Sequence, residues 1–349
     1  MAVLRERLPA GWSTERVEQH RQPGQFNPDA LLEIRDYEGR LATLVLEAKR
    51  IVEGRDVEAL REQLKRFEAT VLNGQGVVVA RYLSPPVRDR LRDAGLSYLD
   101  ATGNARVIIS SPGLFISDRG ADSDPWRGPG RPRGTLKGAP AAKVVRALTD
   151  CYGPWSVRAL VEEGKASTGA TYRVIEFLER EGLIVRDANG LVAVRDWVEV
   201  VRRWSRDYEF ARTNQVTRWI APRGLAELTG RLAASDRGPR YAMTGSIAGQ
   251  QWSAYAPARL AMIYVTNAAD AAEAWGLRAA DAGANVLLAE SPFDVVFERT
   301  QRDDAGLVLA APAQVAVDLM TGPGRNPSEA EELMEWMTRN EPSWRLRTQ

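Results

Sequence analysis

Acid–base and metal chemistry has few side chains to draw on in this chain. Of 349 residues, one is histidine, His20, and one is cysteine, Cys151. A multi-histidine zinc site, a cysteine cage and an internal disulfide are excluded, and a Ser-His-Asp triad is not expected. Catalysis must rest on carboxylates, on lysine, or on a metal held by carboxylate oxygen. Only five of the 47 basic residues are lysines: Lys49, Lys65, Lys137, Lys143 and Lys165. Arginine serves as the generic surface cation here, so a lysine beside acids asks for a specific reason. One such lysine lies in NPDALLEIRDYEGRLATLVLEAKR, where Pro28-Asp29 precedes Glu47-Ala48-Lys49. Asp29 and Glu47 could hold Mg²⁺ or Mn²⁺ through oxygen. The ion would neutralise a scissile phosphate while Lys49 positions or deprotonates the attacking water. That is the chemistry of phosphodiester hydrolysis.

Two strands joined at Tyr37-Glu38-Gly39 would present these groups. Side chains alternate along a strand, so Val45, Glu47 and Lys49 share one face of LATLVLEAKR, and Leu44, Leu46 and Ala48 share the other. The paired strand brings Asp29 alongside. RDVEALREQLKRFEATVLN then spaces Val57, Leu60, Leu64, Phe67 and Val71 as an amphipathic helix. GVVVARYL suits a buried strand, PPVRDRLRDAG a helix, and LSYLDA and ARVIIS two further strands. Asp100 and Asn104 flank a Thr-Gly turn and read as hairpin builders. The predicted order over residues 1–120 is strand, strand, helix, strand, helix and then the two further strands.

This unit resembles the PD-(D/E)XK, or restriction-endonuclease-like, nuclease superfamily. It has the motif literally, as Pro28-Asp29 and Glu47-Ala48-Lys49, on a hairpin followed by a helix and a strand. The resemblance implies Asp29 and Glu47 as metal ligands, Lys49 as the catalytic lysine, and Gln63 as a supporting glutamine on the helix. In the recombination-nuclease branch a tyrosine follows that glutamine by four residues, where this chain has Phe67. An acid on a preceding helix is also common in the superfamily, and Glu6, Glu15 and Glu18 are the candidates. The segment AGLSYLDATGNARVIISSPGLFI is similar to a stretch of bacterial proteins that pair this fold with a winged helix.

Residues 121–138 are rich in Gly, Pro and charge and read as a basic linker. Within them GPGRPRG is similar to the Gly-Arg-Pro core of an AT-hook; a plain basic linker is the other reading. Three helices are expected next: AAKVVRALTDCY, broken by Gly153-Pro154; SVRALVEEG, capped by Ser156; and one from Ser167 or Thr168 to Gly182, with Val174, Ile175, Phe177 and Leu178 inside. A hairpin turned at Asn189-Gly190, a type I′ signal, follows. Residues 139–205 thus resemble a winged helix-turn-helix. The resemblance implies a third helix in the major groove of double-stranded DNA. Ser167, Thr168, Thr171, Tyr172 and Arg173 would be its exposed contacts, with Arg186 on the wing reaching phosphate. Arg131, Arg133 and Lys137 of the linker would be further DNA contacts. From Arg127 to Lys165, eight basic residues stand against three acids, in a chain of net charge +1. Such a local excess suits nucleic acid. Symmetric DNA sites also lead us to expect a homodimer.

Residues 215–349 alternate strands and helices. Thr244-Gly245-Ser246 looks like the turn that opens a minimal nucleotidyltransferase fold, but the following strand, from Arg259 to Val265, has no acid. Metal-dependent nucleotidyl transfer is therefore expected to be lost. Residues 140–340, with APAQVAVDLM and PGRNPSEAEELMEWM at the end, resemble the AbiEi family of antitoxin-like transcriptional regulators. That resemblance implies DNA binding and regulation of a neighbouring gene.

An apolar fraction of 44% and a charged fraction of 27% match a soluble globular chain. No stretch approaches the roughly 18 apolar residues of a membrane span, and MAVLRERLPAGWS lacks the apolar core of a signal peptide, so a cytoplasmic location is expected. The expectation is an α/β multidomain protein: a restriction-endonuclease-like domain, a winged helix-turn-helix and a C-terminal α+β nucleotidyltransferase-like domain. Its expected function is Mg²⁺-dependent DNA cleavage. The alternative is an AbiEi-like regulator with a non-catalytic first domain.

Overall fold

The computed structural model describes residues 2–17, 27–126, 134–235 and 238–347. The chain forms two compact units, Met1–Pro132 with Glu179–Gly182, and Arg133–Leu178 with Leu183–Gln349. No helix among the described residues is long and apolar enough to cross a membrane.

The first unit begins with α1 (Ala2–Arg5), β1 (Ser13–Val17), β2 (Ala30–Arg35) and β3 (Leu41–Lys49). It continues with α2 (Val57–Glu68), β4 (Gly74–Ala80), α3 (Pro85–Asp93), β5 (Ser97–Asp100), β6 (Ala105–Ile109) and β7 (Leu114–Asp118). The seven strands make one sheet in chain order. All neighbours are antiparallel except β3–β4 and β4–β5. A parallel pair needs a crossover, and α2 and α3 supply the two. Both sheet faces are apolar. Val45 and Val78 pack with Leu60, Leu64 and Leu91 of the helices, while Leu44 and Val77 pack with Leu4 and Val107. The alternation in β3 thus holds, and the face that Glu47 and Lys49 share with Val45 is the one covered by α2 and α3.

The second unit opens with α4 (Ala139–Asp150), α5 (Val157–Gly164), α6 (Thr168–Arg180), the hairpin β8 (Ile184–Arg186) and β9 (Val192–Val194), and α7 (Trp197–Ser205). Ser156 accepts from the Ala159 N–H at 3.1 Å, capping α5 as its sequence requires. Trp155 bridges to Val192 beside the hairpin. Next come α8 (Phe210–Thr213), β10 (Gln215–Ile220), α9 (Leu225–Ala234), β11 (Tyr241–Thr244) and α10 (Gly245–Gly249). After these lie β12 (Ala261–Val265), α11 (Ala268–Ala274), β13 (Arg278–Ala279) and β14 (Val286–Glu290). The chain finishes with β15 (Gln301–Arg302), β16 (Val308–Leu309), α12 (Pro312–Met320), α13 (Asn326–Arg339) and α14 (Glu341–Trp344). Seven strands form a mixed sheet in the order β13-β10-β14-β12-β11-β16-β15.

Composition pointed to three units, with a seam near residues 205–215. The structure has no seam there. Trp204, Tyr208 and Phe210 are buried, and one apolar cluster runs from Leu136 and Val145 through them to Leu319 and Met337. Burying one such side chain is worth roughly 1.5–3 kcal/mol, so residues 139–205 and the C-terminal sheet stand as one body. α12 is its axis: every residue from Pro312 to Leu319 is buried. A helix apolar all round is a core helix, and its two polar residues, Gln314 and Asp318, must be satisfied from inside.

One turn recurs. Asp36-Tyr37-Glu38-Gly39, Asp100-Ala101-Thr102-Gly103, Asp187-Ala188-Asn189-Gly190 and Asp303-Asp304-Ala305-Gly306 each close a hairpin in the same way. The glycine N–H donates to the aspartate carbonyl, and one carboxylate oxygen accepts the N–H groups two and four residues on. The glycines sit at φ between 79° and 98°, where a Cβ would be strained. The β8–β9 hairpin is therefore not turned by the expected type I′ pair: φ is positive at Gly190 but not at Asn189. Asp187, not Asn189, organises that turn.

Candidate active site

The three motif residues come together where β2 starts and β3 ends. Ala30 pairs with Leu46, and one residue earlier the Asp29 N–H donates to the Leu46 carbonyl at 3.1 Å. The exposed Asp29 carboxylate accepts the Ala48 N–H through Oδ2 at 2.8 Å. On the adjacent face Glu47 is buried at 3% exposure, and Lys49 Nζ donates to its Oε1 at 2.6 Å. The lysine side chain stays 44% exposed. Lys49 also lies beside Ala80, and Glu47 beside Val78, in the parallel β3–β4 pair. Ligands of α/β sheets bind at the carboxyl ends of such strands.

The hydrogen bond to Glu47 holds the Lys49 ammonium above its ordinary pKa against desolvation, with the charges of Asp29 and Asp56 adding to the effect. Asp56 is the residue that the motif did not reveal. It sits in the turn before α2, where its Oδ2 accepts the Glu53 N–H at 2.8 Å, and so it adds a third negative charge within reach of the lysine. Asp29 Oδ1 and Glu47 Oε2 accept no hydrogen bond among the described residues. No group of three or more His, Cys, Asp or Glu among those residues is arranged to hold a metal. The protein would thus contribute two carboxylates at most. That donor set fits Mg²⁺, which is commonly bound through one or two carboxylates with water and phosphate completing the shell.

The supporting residues fit less closely. Gln63 is half-buried on α2, and no hydrogen bond joins it to Glu47 or Lys49. Of the acids sought on a preceding helix, Glu6 follows the short α1 and is exposed beside Arg7. Glu15 lies on β1, not on a helix, and Glu18, like His20, is outside the described residues.

In the second unit Ser167, Thr168, Tyr172 and Arg173 are exposed at the start of α6. Thr171 is not. It is fully buried, and its hydroxyl donates to the Ser167 carbonyl at 3.1 Å, since a residue four past the cap falls on the inner face. Arg186 is half-buried on β8. Lys137 is exposed, while Arg131 and Arg133 lie outside the described residues. Much of the basic run is spent on structure. Lys143 donates to the Lys165 carbonyl at 3.2 Å, Lys165 pairs with Glu298 at 2.9 Å, and Arg158 pairs with Glu162 at 3.0 Å.

Arg146, counted with that run, is fully buried. It donates to Asp150 at 2.8 Å, to Gln314 at 3.0 Å, and to the carbonyls of Glu298 at 3.1 Å and Val295 at 3.3 Å. Gln314 leads to Asp318, whose carboxylate accepts from Tyr208 at 2.6 Å, Thr244 at 2.6 Å and Tyr264 at 2.8 Å. Burial raises the Asp318 pKa to about 6, against the lowering effect of these donors. Ser246, in the Thr244-Gly245-Ser246 turn, is buried and donates to Glu329 at 2.5 Å, so its hydroxyl is spent on α13. Burial likewise pushes the Cys151 thiol up to about 11, leaving it inert. In the first unit, Asp100 and Asn104 do more than turn a hairpin. Asn104 bonds Asp100 and Arg88, and Arg88 bonds Asp122, tying α3 to the strand ends.

No family model, curated protein or solved structure matches this chain.

Proposed function

We propose that the protein is a DNA-directed phosphodiesterase of the PD-(D/E)XK type: a Mg²⁺-dependent endonuclease whose first unit cuts and whose winged helix selects DNA. The observation behind the proposal is the contact of Lys49 with Glu47 at 2.6 Å, beside an Asp29 carboxylate pinned by the Ala48 N–H, at the carboxyl end of two parallel strands. Asp29 and Glu47 would hold the ion, which when bound supplies charge neutralisation to the phosphate. Lys49 would orient the attacking water and manage its proton, and Gln63 would support the site. Purified protein with duplex, nicked and branched DNA and Mg²⁺ or Mn²⁺ tests this. Cleavage that disappears in Lys49→Ala is the expected result; no cleavage of any substrate, with duplex binding retained, rules it out.

A second reading is a transcriptional regulator with an inactive first unit. It is favoured by the pairing of Glu47 with a protein cation and of Asp29 with a backbone N–H, which leaves each carboxylate one uncommitted oxygen. Both readings require DNA at the exposed start of α6, and a cytoplasmic homodimer suits either.

A further inference from the structure

We propose that the Trp126 indole and the Arg81 guanidinium form a stacking site for an unpaired base. DNA with a single-stranded tail is then the substrate class of the first unit, an assignment that rests on the phosphodiesterase reading above. Lys49 lies beside Ala80 in the parallel β3–β4 pair, where neighbouring strands run about 4.8 Å apart. The residue that follows each strand is an exposed arginine, Arg50 after β3 and Arg81 after β4. Neither makes a side-chain hydrogen bond or an ion pair among the described residues. Arg81 instead lies over the Trp126 ring, 4.8 Å from its centroid. Trp126 is still 44% exposed with the guanidinium in place, so part of the ring is open to solvent.

The chain that carries Trp126 is tied to these strand ends. The Gly120 N–H donates to Asn104 Oδ1 at 2.9 Å, Asn104 Nδ2 donates to the Ala121 carbonyl at 3.0 Å, and the Tyr82 hydroxyl donates to the Asp122 carbonyl at 2.7 Å. The acids of this segment are already engaged. Asp122 pairs with Arg88, and Asp124 Oδ1 accepts the Trp126 N–H at 3.0 Å. The sequence that follows Trp126, RGPGRPR, adds no acid. An exposed indole under a guanidinium with no carboxylate partner matches a nucleotide: the base stacks on the ring, and its phosphate takes the fork of N–H donors. A base inside a duplex has both faces covered by its neighbours, whereas a base in a tail offers one. Arg50 and Lys49, next along the strand ends, lead the phosphates of such a tail toward Asp29 and Glu47.

Fluorescence anisotropy on the full chain, in EDTA so that nothing is cut, compares a labelled duplex with a short thymidine tail and the same duplex blunt. Any contact that α6 makes with the duplex is common to both probes and cancels in the ratio of affinities. The parent should bind the tailed probe about tenfold more tightly, and Trp126→Ala should bring the ratio close to one. Trp126→Phe should keep most of the preference, and Arg81→Ala should lose part of it. A 2-aminopurine base in the tail should be quenched by the parent and not by Trp126→Ala. The proposal is overturned if the parent binds both probes alike or binds neither, or if Trp126→Ala, folded by thermal melting, keeps the preference. Cleavage with Mg²⁺ is read separately. No cleavage with the tail preference intact overturns the phosphodiesterase reading alone, and cleavage without a tail preference overturns the stacking site alone.

Discussion

Around Lys49, in the first unit, Glu47 alone accepts from the ammonium, Asp29 stands nearby on a backbone N–H, and both carboxylates keep an oxygen to spare; around Arg146, in the second, each donor nitrogen of the guanidinium is engaged. The residue types are nearly the same, and both clusters mix acids with a single central cation. They differ above all in access to water. Lys49 is half in solvent, whereas Arg146 and Asp150 are 0% and 3% exposed. Chemistry on a substrate needs groups that are charged, reachable and not yet satisfied. The Arg146 cluster keeps one unmet oxygen, Asp150 Oδ1, but it is sealed from solvent and acts as a rivet. An acid–base motif in a sequence becomes a site only when the fold leaves part of it unfinished.

The sharpest way to break this comparison is at the rivet. Arg146→Ala leaves Asp150 facing Arg299 alone at 2.8 Å and strips Gln314 and two buried carbonyls of their donor. Removing one partner of a buried pair costs about 3–5 kcal/mol. Denaturant unfolding followed by tryptophan fluorescence should show that loss, and an effect below about 1 kcal/mol would refute the role.

Asp318 gives the next largest effect and a distinct pH signature. Its folded pKa of about 6 lies above the ordinary 3.8, so the folded state binds the proton more tightly than the unfolded chain. The resulting stabilisation is fully present below pH 3.8 and is lost as pH rises through 6. Between those limits the difference amounts to roughly 3 kcal/mol at most. Asp318→Asn should abolish this slope, so that melting temperatures of parent and variant converge or cross between pH 4 and 7. Parallel curves would show that the carboxylate is not titrating there.

The smallest stability effect should come from the candidate active site. Lys49→Met removes a half-exposed ammonium but leaves the buried Glu47 carboxylate without its donor, and should cost about 1–3 kcal/mol in unfolding experiments, while abolishing any cleavage. A loss as large as that of Arg146→Ala would move Lys49 into the same class as the rivet.

What could be seen in the sequence was what is local. The four Asp-x-x-Gly stretches, DYEG, DATG, DANG and DDAG, turn four hairpins through contacts spanning five residues, although DANG pointed to the wrong turn type because Asn189-Gly190 outweighed Asp187. The helices α2 to α6 follow from apolar spacing. The edge strands were less visible. β1 is STERV, a polar stretch with no alternating apolar face, and β7 is five residues long. The motif acids were legible because strand pairing is regular, but Asp56 was not, since only the turn before α2 brings it toward Lys49. Arg146 could not be read at all: its partner Gln314 is 168 positions away, and by composition it counted as one more DNA-facing cation.

The unbroken core between α4 and α12 also bears on where the chain can be cut. Residues 139–205 are not self-contained. Excision there would carry Arg146 away from Gln314, Val295 and Glu298, and would leave Trp204 without the neighbours that cover it. Either fragment would expose apolar surface that the whole unit buries, so the second unit is the smallest piece of this region to express as a folded body.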